Sequence, residues 1–203
     1  LRDSFGMPAP LPKIDGRAMA EMMQQFAAGI PWRSLVASMI LLGSHDRARF
    51  QSVVARNLKK NIAGVTLLMS YPGVPSIFAG DEIGLEGYWG ENGRRTIDWE
   101  HPEKWNSELL FDYMELIKIR RSSHALSHGG IRWIHISNDS VAFLRESKKE
   151  SILVYVSRTG IKEKIDLSKY GYTIKKTLFG PTNKGKNLSI SSKEAVGGMW
   201  LLS

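Results

Sequence analysis

The chain has 203 residues, 42% of them hydrophobic and 24% charged, the composition of a folded domain that buries a core without staples. It contains no cysteine, which excludes disulfides, thiolate metal sites and thiol nucleophiles. No apolar run approaches the roughly 20 residues that a membrane helix needs.

The net charge of +8 raises nucleic acid as a partner. Its distribution argues against one. Residues 1–100 hold 11 Lys+Arg and 10 Asp+Glu; residues 101–203 hold 17 and 10. The excess falls in short pairs: Lys148 and Lys149, Lys162 and Lys164, Lys175 and Lys176, Lys184 and Lys186. Such lysines protect solvated strand edges. No basic recognition helix, RNA-stacking motif or zinc spacing accompanies them. The chain opens at Leu1 with no basic-then-apolar leader, so no signal peptide is expected. A cytoplasmic location and a missing N-terminal portion are the matching expectations.

In chain order, Asp15 can cap a helix running through Phe26, with Met19, Met22, Met23 and Phe26 at helical spacing and the three methionines as core filling. Gly29 and Pro31 close it. Val36–Leu42 reads as a short buried parallel strand. Residues 49–70 read as one or two helices. Val74–Ala79 is a second buried strand, entered at Pro72-Gly73 and left at Gly80. A glycine-rich loop spans residues 84–95. Residues 107–126 form an amphipathic helix with Leu109, Leu110, Tyr113, Leu116, Ile117 and Ile119 on one face. His124 and His128 close that helix, where positive charge suits the dipole.

Beyond Gly129-Gly130 the period changes to two. Strands are expected at residues 131–136, 141–146, 152–157, 162–167, 173–178 and 199–202, with turns at Asn138-Asp139 and Arg158-Thr159-Gly160. That spacing suggests a small antiparallel sandwich. Two parallel strands alone cannot cover both of their faces. The first half therefore looks like the end of a larger α/β sheet or barrel.

Three segments could carry chemistry. Gly43-Ser44-His45-Asp46-Arg47-Ala48-Arg49 follows the first strand. Active sites of parallel α/β folds lie at such strand ends. A carboxylate there can steady a positive charge, hold sugar hydroxyls or act as acid or base; it can equally cap a helix beside a partnered histidine. Gly73-Val74-Pro75-Ser76-Ile77-Phe78-Ala79-Gly80-Asp81-Glu82-Ile83-Gly84 again places acids after a strand. Asp81 and Glu82 could instead pair loop arginines or cap the next segment. Tyr88-Trp89-Gly90-Glu91-Asn92-Gly93-Arg94-Arg95-Thr96-Ile97-Asp98-Trp99 mixes aromatics with polar groups. That mixture suits sugars, whose apolar faces stack on rings, and equally suits a pinned loop. No phosphate loop, dinucleotide fingerprint or HExxH occurs.

Taken in order, Gly-Ser-His-Asp, Gly-Val-Pro-Ser-Ile-Phe-Ala-Gly-Asp-Glu-Ile-Gly and Gly-Arg-Arg-Thr-Ile-Asp-Trp resemble the α-amylase family, glycoside hydrolase family 13. The nearest likeness is to its neopullulanase, cyclomaltodextrinase and α-glucosidase types. The resemblance implies an α/β plus all-β chain: residues 1–129 as the last part of a (β/α)8 barrel with its seventh and eighth strands, and 130–203 as a C-terminal β-sandwich. It implies that Asp46 is the catalytic carboxylate that binds the sugar at the cleavage site and favours its oxocarbenium-like form. His45 would bind the same sugar. Arg49, Asp81, Trp89 and Arg95 would line or support the site. No cofactor or metal is implied for these residues, and calcium is a candidate ligand of the parent enzyme only. An α-linked oligosaccharide and the missing N-terminal part are the implied partners, with self-association of the exposed barrel portion. Retaining glycosidases also need a nucleophile and an acid, which this family carries after its fourth and fifth strands. The Gly-Phe-Arg-x-Asp type of segment is absent, so an inactive fragment is expected. The alternative is a non-catalytic carbohydrate-binding or assembly module.

Overall fold

The computed structural model describes residues 14–203; residues 1–13 of the expected first unit lie outside the described residues. Helix α1 (Gly16–Ala28) starts where expected, with the Asp15 carboxylate accepting from the Ala18 N–H at 2.8 Å. Its methionine face does not fill a core. Only Gly16 and Ala20 are buried, while Met22 and Phe26 are more than half exposed. The reason is position: the first turn of α1 docks through the Gly16 N–H on the Asn138 carbonyl at 2.7 Å. No described element covers its outer face.

Helix α2 (Trp32–Ala37) takes up the start of the first expected strand, leaving β1 (Met39–Leu41) only three residues. Helices α3 (Phe50–Val53) and α4 (Leu58–Ser70) follow, separated by Ala55 and Arg56 in left-handed backbone. Strand β2 (Val74–Ser76) pairs with β1 in parallel, Met39 against Val74 through Leu41 against Ser76. The parallel pairing is as expected and the burial is not. Met39 and Val74 are exposed, because each strand has a partner on one side only.

A one-turn helix, α5 (Gly90–Gly93), interrupts the glycine-rich loop. Helix α6 (Ser107–Ser122) buries Leu109, Tyr113 and Leu116. It stops four residues short of the expected end, because Ser123 leaves helical backbone and its hydroxyl caps α7 (His124–His128) by accepting from the Leu126 N–H at 3.0 Å. His124 therefore opens a helix instead of closing one, and only His128 sits at a helix C-terminus. The two rings stack with centroids 4.9 Å apart.

Seven strands follow: β3 (Gly130–Ile136), β4 (Ser140–Glu146), β5 (Ser151–Ser157), β6 (Ile161–Asp166), β7 (Ile174–Phe179), β8 (Asn187–Ser192) and β9 (Val196–Leu202). Strand β8 lies outside the strand ranges expected from sequence. The larger sheet has the order β3-β4-β5-β9-β7, and β6 pairs with β8; every pairing in both is antiparallel. Alternation along each strand gives the larger sheet two buried faces. Ala142, Leu144, Leu153, Tyr155 and Trp200 pack toward Ile165, Leu188 and Ile190 of the smaller sheet. Phe143, Ile152, Val154 and Met199 pack instead with Val65, Met69, Leu109 and Leu116 from α4 and α6. Exposed Lys162, Lys164, Lys175 and Lys176 lie on β6 and the edge strand β7, as lysine pairs at sheet edges should.

Two features join the halves. Gly197 lets β9 lie against α4, since a Cβ there would overlap the Thr66 hydroxyl. Arg145 is fully buried and donates to the carbonyls of Ser70, Gly129 (2.8 Å) and Gly130 (3.1 Å). Nearby Arg120 donates to Met69, Tyr71 and Gly73 carbonyls at 3.2, 2.9 and 2.6 Å. The carbonyl-rich end of α4 supplies the negative potential that these guanidiniums need. Burial still pulls them down, Arg120 to about 10 and Arg145 to about 9.

Candidate active site

The loops after β1 and β2 meet at one open cleft of about 510 Å³, walled by His45, Arg49, Phe78, Ala79 and residues 94–97 with Trp99. Its foundation is Arg49, which is 1% exposed. The Arg49 Nη1 donates to Asp81 Oδ1 and to the Ala79 carbonyl, each at 2.9 Å, and its Nε donates to the Gly93 carbonyl at 2.8 Å. The guanidinium also lies 4.1 Å from the Phe78 ring centre. One buried cation thus gathers three chain segments. Asp81 beneath it is buried, and burial pushes its carboxyl up to about 6 against the lowering influence of Arg49.

Gly80 adopts left-handed backbone at φ 99°, which turns the chain from β2 into the Asp81–Ile83 turn. Glu82 accepts from the Gly80 N–H at 2.8 Å and so stays local. Both acids therefore do what the structural alternative described: Asp81 pairs a loop arginine and Glu82 caps the turn.

Asp46 differs. It does not cap α3, whose first flanking residue is Arg49 with no side-chain cap. Its carboxylate is exposed and held from two sides, by His45 Nε2 at 3.3 Å and by Arg94 Nη2 at 3.2 Å. Arg94 Nε also donates to the His45 carbonyl at 3.1 Å. A ring nitrogen, a guanidinium and a carboxylate are thus presented together on the surface. Such a set can exchange hydrogen bonds with the hydroxyls of a polyol.

Of the six residues singled out from sequence, His45, Arg49 and Arg95 wall the cleft, Asp46 adjoins it, and Asp81 lies below as support. Trp89 is not among the cleft walls; its carbonyl accepts from the Gly93 N–H at 2.7 Å as the flank of α5. Trp99 closes the aromatic segment that the sequence marks as suited to sugars, whereas Arg94 is not singled out within it. Arg94 stands beside Arg95 in the same motif, and adjacency in sequence cannot say which of two arginines turns toward Asp46. Among the described residues no group of three or more His, Asp or Glu could hold a metal ion.

Residues 6–110, more than half of the chain, match the family profile "Alpha amylase, catalytic domain". The chain belongs to the α-amylase family. Within this family it is 32% identical over 128 residues to a cyclomaltodextrinase of Thermoanaerobacter pseudethanolicus, covering 63% of this chain and 22% of that protein. It is 34% identical over 127 residues to neopullulanase 2 of Thermoactinomyces vulgaris, covering 62% and 22%. The native debranching enzyme of Nostoc punctiforme aligns with a TM-score of 0.83 at 24% identity, over 95% of this chain and 41% of that one. This α-amylase family chain thus spans about a fifth of the length of these curated relatives. Its Asp46 cluster and Arg49–Asp81 pair both fall inside the matched catalytic-domain region.

Proposed function

We propose that this chain is the sugar-gripping end of a retaining α-glucan hydrolase that acts on maltooligosaccharides or related α-linked sugars. The observation that carries the reading is Asp46, presented by His45 and Arg94 at the mouth of a cleft after two parallel strands. In this reading Asp46 takes hydroxyls of the sugar at the cleavage site and, as charge develops on the ring, favours the oxocarbenium-like form. His45 donates to or accepts from the same ring. Arg49 on Asp81 keeps the loops at the cleft floor in place.

Residues 1–129 would be the end of a (β/α)8 barrel and 130–203 a β-sandwich domain. The open edges of β1 and β2 and the exposed Met22, Phe26, Met39 and Val74 support the first assignment. They are what the rest of a barrel would cover, so that portion of the enzyme is the proposed partner. The two layers packed through Trp200 and Leu188 support the second. A cytoplasmic setting completes the reading, and dispersed edge lysines speak against nucleic acid.

Retention of configuration needs two carboxyl groups about 5–5.5 Å apart across the scissile bond. The arginine-containing nucleophile segment is not in this sequence. The chain alone is therefore expected to show no turnover of maltotriose or an aryl α-glucoside above an Asp46→Ala control, while still contacting saccharide weakly, at millimolar concentration. Turnover abolished by Asp46→Ala would overturn the inactive-fragment reading. Sub-millimolar maltooligosaccharide binding by the chain alone would favour the alternative, a non-catalytic binding module.

A further inference from the structure

The cleft has one wall that the carboxylate chemistry does not use. Trp99 is 71% exposed, more than any other large hydrophobic residue described. An indole left in water gains nothing unless something apolar covers it. It is also not free to turn away. The Trp105 ring meets it edge-on, centroids 5.4 Å apart and planes at 78°. Trp105 is fixed in turn by its Nε1 donating to the Asp98 carbonyl at 3.1 Å, and Lys104 Nζ holds the Asp98 carboxylate at 3.1 Å. An edge contact that leaves most of Trp99 exposed keeps a ring face open. The neighbouring Arg95 is anchored through Nε to the Asn92 carbonyl at 3.1 Å, which leaves its terminal nitrogens for a ligand. A flat, oriented ring beside guanidinium donors matches a pyranose: C–H groups on one face and hydroxyls around the rim.

We propose that Trp99, buttressed by Trp105, is the stacking platform for a pyranose ring of the bound saccharide, with Arg95 taking its hydroxyls. The proposal rests on the α-glucan reading and adds a residue to it. Trp89 has no part in the platform, because it does not wall the cleft.

The six tryptophans give six indole N–H signals in a nitrogen-15 spectrum of the whole chain. Titration with maltotriose should move the Trp99 and Trp105 signals and leave those of buried Trp200 and of Trp89 in place. Trp99→Ala should weaken the perturbation of the His45 ring about 3- to 10-fold, the range expected for one aromatic contact. Trp99→Phe should restore part of it. Because Trp99 is exposed, an unchanged Trp200 signal verifies that these variants fold. Perturbation of His45 with Trp99 still would overturn the platform and leave the α-glucan reading standing. Silence at both, up to tens of millimolar maltotriose, would overturn both.

Discussion

The Arg49–Asp81 pair is both the deepest charge in the cleft and the residue pair on which its loops depend. Removing one partner of a buried ion pair costs about 3–5 kcal/mol, because the other charge stays behind without compensation. Arg49→Ala should therefore destabilise the chain by that order in denaturant titrations. The deficit should depend on pH. The Asp81 carboxyl already titrates above its unfolded value of 3.8, and losing Arg49 raises it further. A carboxyl whose folded value is raised favours the folded state most when protonated, and that advantage fades as pH climbs through the folded value. The variant should thus lie closer to the parent at pH 5 than at pH 8; an equal deficit at both would refute this account. The sequence already points to His45, Asp46 and Asp81, because polar residues cluster directly after apolar runs, and to Arg49 through the family resemblance. Arg94 could not be read in the same way. Its contact with Asp46 spans 48 positions and depends on how the loop carrying α5 folds back.

Among the elements, long ones were legible and short ones were not. Helices α1, α4 and α6 carry side-chain caps at Asp15, Asn57 and Asn106, and all three can be read from residue type. Strand β1 is shorter than its apolar run suggests, because such a run does not distinguish a three-residue strand from the helical turn before it. Strand β8 is hard to read from sequence because serines and lysines surround it, although Leu188 and Ile190 alternate as a half-buried strand requires. Contacts between elements set tight tolerances. Valine at Gly197 would force β9 off α4, and overpacking of this kind costs about 1–3 kcal/mol. Gly197→Val should lower the thermal midpoint, whereas the same change at Gly130, where nothing lies within 4 Å of a Cβ, should be far milder. Comparable midpoints for the two would show that the β9–α4 contact is not limiting.

At the scale of the whole molecule, two kinds of surface coexist. The lysine-bearing strands β6 and β7 give the second half charged edges, which disfavour pairing with other chains. The first half shows open strand edges at β1 and β2 beside Met22, Phe26, Met39 and Val74, a combination that invites pairing with other chains. The isolated chain should self-associate as concentration rises, seen as growing scattering mass. A constant monomer mass across two decades of concentration would contradict that view. The contact through Arg145 bears on how such a chain moves. The two halves join at Gly129 and Gly130, where a flexible hinge would be unsurprising, yet one guanidinium holds both carbonyls together with the end of α4. Swinging one half would strip a buried cation of its acceptors. The sheet layers therefore act as a keel: they should melt together with the helices they brace, and the cleft loops are mounted on a body whose two halves share one buried cation.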